Sequence, residues 1–317
     1  MEGNLNFIEG EVMSVFVFPG QGSQYVGMFS EFLDKEEFKD YFERVKEVVG
    51  EDFIKKVQEG PEDVLRDTRI SQPGIFIVSV ILSDYLMENG VIPKYLVGHS
   101  LGEYSAFYAG KVFNFETGLK LIKKRAEVMN SVAERVDGGM WAVIGDLSEI
   151  EESLMELQKE EIPLWAANYN APSQLVLSGK KEAFEIWYSK MKNKVKKVVP
   201  LSVSGPFHSP LMREAEEIFK SYLENIEFSD PKTYIVSSTT GDVVKSKEEA
   251  KEILVKQFTS SVRWIDAINK LTDLGERIFI EVGPGKVLQG LIKKIDFNVK
   301  VLGVEKVEDL EKIRGEL

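Results

Sequence analysis

Ser100 stands in the run Gly98-His99-Ser100-Leu101-Gly102, between an apolar stretch, Tyr95-Leu96-Val97, and the helix formers Tyr104-Ser105-Ala106. A strand that turns sharply into a helix around G-x-S-x-G forms a nucleophile elbow. So tight a turn admits only small residues on either side of the serine. It lifts the hydroxyl clear of the sheet and sets it at a helix N-terminus, where backbone N–H groups can receive an oxyanion. A chain built around this element needs at least one buried parallel sheet backed by helices.

Serine is a weak nucleophile and needs a base within hydrogen-bond reach. The chain offers two histidines and no cysteine. His99 adjoins Ser100, and successive residues of an extended segment point to opposite sides, so it is read as structural. His208, in the loop Ser204-Gly205-Pro206-Phe207-His208-Ser209-Pro210, is the remaining base. The missing cysteines exclude disulfides and thiolate metal sites, and with two histidines no metal centre is expected.

Arg125 poses a different problem. On a helix from 117 to 136, Leu119, Leu121, Ile122, Ala126, Met129 and Val132 share one face, and Arg125 falls near its middle. A buried guanidinium without a partner costs several kcal/mol. It therefore requires an anion, either a protein carboxylate or one carried by a substrate. The residues alone leave both open. Arginine grips a carboxylate through two parallel hydrogen bonds, which suits either case.

The rest of the chain alternates strand and helix signals. Apolar Val15-Phe16-Val17-Phe18 ends at Pro19-Gly20, and helices are expected at 31–49 and 73–88. The stretch 137–205 reads βαββαβ, with strands near 140–145, 163–168, 174–178 and 197–203. Helices at 211–225, 247–257 and 263–274 follow, with strands at 233–237 and 278–282 and a last helix at 286–294. The expected architecture is α/β: a catalytic unit of parallel-sheet type over 13–136 and 206–317, and a small ferredoxin-like unit over 137–205. Residues 1–12 are expected to form an N-terminal extension. The loop Pro19-Gly20-Gln21-Gly22-Ser23-Gln24 lacks the Gly-Lys-Ser/Thr of a phosphate loop, and fits better as a tight loop presenting a backbone N–H to a reacting carbonyl.

Charge and hydropathy narrow the partners. The net charge of −12 disfavours nucleic acid. The longest apolar run, Ile75 to Leu82, is too short to cross a bilayer, and the acidic N-terminus is no signal peptide, so a cytoplasmic location is expected.

Taken together these motifs resemble the malonyl-CoA:acyl carrier protein transacylases. The resemblance runs from about Val15 to Leu291. It rests on Phe18-Pro19-Gly20-Gln21-Gly22-Ser23-Gln24, the elbow through Ser105, Arg125, Phe207-His208-Ser209, Gln257 and Glu281-Val282-Gly283-Pro284-Gly285-Lys286. It implies an α/β-hydrolase-like large domain carrying the ferredoxin-like one. It also implies a ping-pong reaction in which malonyl passes from malonyl-CoA through Ser100 to the phosphopantetheine thiol of acyl carrier protein, with no cofactor. By that resemblance the N–H groups of Gln21 and Leu101 form the oxyanion hole, and the backbone carbonyl at Gln257 orients His208. Arg125 then binds the malonyl carboxylate, and Phe207 keeps the pocket too small for a branched acyl group. The Gln257 side chain is expected to matter little. The rival reading is a serine hydrolase, whose fold places its histidine near the C-terminus after an acid. Here His208 is followed by a long stretch of chain, and no acid stands out as its partner.

Overall fold

The computed structural model describes residues 14–317; the extension expected at 1–12 lies outside the described residues. Among the described residues, nine strands form two sheets. β1 (Ser14–Phe18), β2 (Pro93–Gly98), β7 (Tyr234–Ser237), β8 (Ile278–Val282) and β9 (Lys300–Val304) make a parallel sheet in the order β7-β2-β1-β8-β9. β3 (Gly138–Ile144), β4 (Leu164–Ala171), β5 (Gln174–Lys180) and β6 (Lys197–Pro200) make an antiparallel sheet in the order β4-β5-β3-β6. That order, with helices Leu147–Lys159 and Lys181–Met191 between the strands, is the ferredoxin-like arrangement.

Every side chain of β1 is buried, because both faces of the parallel sheet are covered. Phe16, Phe18, Leu96 and Ile280 pack on the side of the helices Thr68–Glu88, Gly102–Ala109 and Phe115–Ala133. Val15, Val17, Val97 and Phe279 face the helices Trp264–Asp273 and Val287–Ile295. Thr68–Glu88 is long and apolar enough to cross a membrane, but here it is the central core helix, buried along most of its length.

The structure corrects several boundaries. The helix expected at 31–49 is broken into Ser30–Leu33, a short 3-10 turn and Lys39–Val49. The helix expected to open at Pro73 begins at Thr68, because the Asp67 side chain caps the Arg69 N–H at 2.8 Å. Helices Glu51–Glu59, Glu62–Leu65 and Asp309–Glu316 and strand β9 were not anticipated, so 286–294 is not the last element. β9 is an edge strand of only five residues, Lys-Val-Leu-Gly-Val, interrupted by a glycine and mostly half buried.

The parallel sheet positions the site. The loops after β1, β2 and β8 all leave from its carboxyl end, where ligands bind in open α/β sheets. Glu281 at the end of β8 is fully buried and accepts the N–H groups of Leu288 and Gln289, fixing the start of the helix Val287–Ile295 at the rim of that end.

Candidate active site

The elbow after β2 is sterically determined. A Cβ on Gly98 would come within 2.0 Å of the Gly102 backbone, and one on Gly102 within 2.0 Å of the Phe18 carbonyl oxygen. No side chain fits at either place. Ser100 sits between them at φ 52, in the left-handed region that non-glycine residues rarely occupy. The strain presents its hydroxyl to a cleft of about 270 Å³ between the two sheets.

The structure brings His208 to Ser100. Its Nε2 lies 2.7 Å from Ser100 Oγ. Its Nδ1 faces two carbonyl oxygens, of Gln257 at 2.9 Å and Ser260 at 3.2 Å. Both are acceptors, so Nδ1 carries the proton and Nε2 holds a free pair for the serine hydroxyl. His208 is also left-handed, at φ 56, and only 6% exposed. Burial, reinforced by the nearby Arg125 charge, pushes its pKa down to about 3.

Arg125 is 1% exposed, on the inward face of the helix Phe115–Ala133 as its spacing implied. Its Nη2 lies 3.3 Å from Ser100 Oγ, and its plane is flanked by the Tyr104 and Phe258 rings. No carboxylate pairs with it among the described residues. Instead Nε and Nη2 donate to Gln257 Oε1 at 3.1 and 2.8 Å, and Nη1 has no partner. A buried cation with an open donor beside the nucleophile is a seat for an anion.

The Gln257 side chain, expected to matter little, makes more contacts than its backbone carbonyl does. Besides lending its carbonyl to His208, Gln257 holds Arg125 through Oε1. Its Nε2 donates to the Ser100 carbonyl at 2.9 Å and to Glu103 Oε2 at 2.6 Å. Glu103 itself went unnoticed in the sequence. A signal was present: it is the sole charged residue in Gly-Glu-Tyr-Ser-Ala-Phe-Tyr-Ala, a helix buried on all sides.

Gly20, Gln21, Leu101 and Phe207 line the same cleft. The Gln21 and Leu101 N–H groups have no backbone acceptor among the described residues. The loop carrying Gln21 is braced by Ser23 Oγ donating to Gly20 O at 2.9 Å, and Gly20 approaches His99 too closely for any Cβ. His99 does not reach the hydroxyl's base position; its Nε2 meets Asn170 Oδ1 at 2.8 Å, tying the elbow to β4. The lysines at 190–197 do not line this cleft.

An acyl transferase domain model matches residues 15–305. The chain belongs to the acyl transferase family. It is 38% identical to the malonyl CoA-acyl carrier protein transacylase of Synechocystis, over 95% of this chain and 99% of that one. It is 39% identical to a polyketide biosynthesis malonyl CoA-acyl carrier protein transacylase of Bacillus subtilis, over 89% and 97%. Among solved structures, a malonyl-transacylase in complex with its type II polyketide acyl carrier protein superposes with a TM-score of 0.91 at 32% identity, covering 96% of this chain and all of that one. A base acting on Ser100 would have to stay unprotonated, and the depressed His208, whose Nε2 meets Ser100 Oγ, has that property. Loading of the free enzyme should therefore persist on the acid side of the ordinary histidine range. Its rate at about pH 5 should stay near its neutral plateau, whereas an unperturbed histidine would already be mostly protonated there. Single-turnover loading measured against pH checks this.

Proposed function

We propose that this chain transfers a malonyl group from malonyl-CoA to the phosphopantetheine thiol of an acyl carrier protein, supplying extender units for fatty-acid or polyketide synthesis. One observation carries the malonyl reading: the unpartnered donor of Arg125, on a guanidinium 3.3 Å from the Ser100 hydroxyl. An acyl group esterified to Ser100 and ending in a carboxylate one methylene from its carbonyl places that carboxylate against Arg125.

The chemistry follows from the same groups. His208 Nε2 takes the Ser100 proton as Oγ attacks the thioester carbonyl. The oxyanion of the tetrahedral intermediate sits against the N–H groups of Gln21 and Leu101, the second at the start of the helix Gly102–Ala109, whose dipole favours negative charge. Collapse breaks the C–S bond, and coenzyme A leaves with the proton from His208. In the second half, His208 takes the proton of the carrier protein's thiol, whose sulfur attacks the ester. The C–O bond breaks and Ser100 recovers its proton. No metal or cofactor enters either step. Both donor and acceptor are cytoplasmic in this reading.

Phe207, 3% exposed at the cleft wall, leaves little space for a branched α-carbon. A panel of acyl-CoAs tests the whole reading by loading rate onto Ser100. Malonyl should load fastest. Methylmalonyl should fall at least tenfold, roughly the effect of one ill-fitting methyl in a tight pocket. Succinyl, one methylene longer, should fall as well because its carboxylate overshoots Arg125. Equal loading of malonyl and acetyl groups would contradict the assignment.

A further inference from the structure

The partner of Arg125 is an amide where a carboxylate was to be expected. Glu103, fully buried, is near enough to be felt electrostatically by Arg125, but the Gln257 side chain stands between them. The amide has one possible orientation. Both groups facing Oε1 are guanidinium N–H donors, and both groups facing Nε2, the Ser100 carbonyl and Glu103, are acceptors. A flip would set N–H against N–H on one side and oxygen against oxygen on the other. Glu103 is in turn locked by donors other than Gln257: the Ser237 hydroxyl, the Thr239 hydroxyl at 2.8 Å and the Thr239 N–H at 3.3 Å. No lysine or arginine touches it among the described residues.

We propose that Glu103 and Gln257 are positioning residues that set acyl-group specificity. Glu103 fixes the amide, and the amide holds Arg125 through a neutral acceptor, so that the guanidinium keeps its charge for the carboxylate of the incoming acyl group. This rests on the malonyl reading above and deepens it. Had a carboxylate stood at position 257, it would form the two parallel bonds that arginine makes best. The substrate would then compete with a permanent, pre-paired rival. The amide instead accepts from Nε and Nη2 through its one oxygen, without the charge. The same side chain also holds the Ser100 carbonyl, so the nucleophile and the carboxylate seat are set by one group. That coupling suits a short acyl chain, which leaves little slack between its two ends.

The inference separates by moving the charge without changing the count of atoms that bond. In the double variant Glu103→Gln/Gln257→Glu the carboxylate is placed against Arg125, with overall charge unchanged. The readout is the ratio of malonyl to acetyl loading on Ser100, measured by intact mass at single turnover. The acetyl rate serves as an internal control for any general damage to the site. The ratio should fall at least tenfold in the double variant. It should fall in the single Glu103→Gln as well, where the Gln257 amide loses the carboxylate acceptor that anchors its Nε2. Should the double variant not fold, the single variant and its melting curve carry the same comparison. An unchanged ratio, or malonyl and acetyl rates lost in equal proportion, overturns the proposal. Arg125→Ala is run alongside. If that variant keeps the wild-type ratio, the malonyl reading itself fails. If it loses the ratio while the Glu103 and Gln257 variants keep it, only the role assigned to Glu103 and Gln257 fails.

Discussion

Arg125→Ala should slow malonyl loading onto Ser100 by roughly a hundredfold or more while acetyl loading changes far less. The magnitude follows from the site. A carboxylate bound by a buried guanidinium that loses its partner forfeits about 3 kcal/mol or more, and each 1.4 kcal/mol is about a factor of ten in rate. The asymmetry between acyl groups follows from chemistry: acetyl has no carboxylate to lose. The variant also strands Gln257 Oε1, which now accepts both Arg125 bonds. Some loss common to both acyl groups is therefore expected, and the ratio of the two rates is the quantity that reports on carboxylate binding. Equal losses would make Arg125 a structural group.

His208→Ala should depress both half-reactions by about a thousandfold, within the range that a positioned general base contributes. Both halves suffer because the same nitrogen takes a proton from Ser100 in one and from the thiol in the other. The pH dependence carries a further sign. Arg125 is the second cause of the low His208 pKa, after burial. A malonyl carboxylate seated on Arg125 offsets that positive charge, so the imidazole in the malonyl-enzyme binds protons more readily than in the free enzyme. The acid limb of transfer to the carrier protein should thus lie at higher pH than the acid limb of loading. Arg125→Ala should raise the loading limb toward the ordinary histidine range. Single-turnover rates of each half-reaction against pH measure both displacements, and coincident limbs would show that Arg125 does not reach His208 electrostatically.

The elbow was legible because its small-residue pattern is local in sequence, although only Gly98 is crowded by the turn itself, whereas Gly102 is crowded by Phe18 and Pro19 of the neighbouring strand and its loop. Arg125 was legible through helical period, which placed it on the buried face before any contact was known. The four strands of the small sheet showed as short apolar runs broken by turn residues. What the sequence hid is the polar web behind the nucleophile. Glu103 meets Ser237, Thr239 and Gln257, all more than a hundred residues away. Nothing in the local pattern of Gln257 distinguishes a side chain with four bonds from a helix-terminal glutamine facing water. Of the two anions left open for Arg125, a protein carboxylate is not its partner among the described residues, and the amide of Gln257 stands between it and Glu103. Such arrangements are set by tertiary approach and leave no periodic trace.

The most direct test of the central claim follows the acyl group itself. The protein is mixed with malonyl-CoA, its intact mass is recorded, and pantetheinylated acyl carrier protein is then added. The expected result is one malonyl adduct, absent in Ser100→Ala, that survives in buffer and moves to the carrier protein's thiol on mixing. An adduct that water clears as fast as the carrier protein does would contradict the account and make the chain a hydrolase.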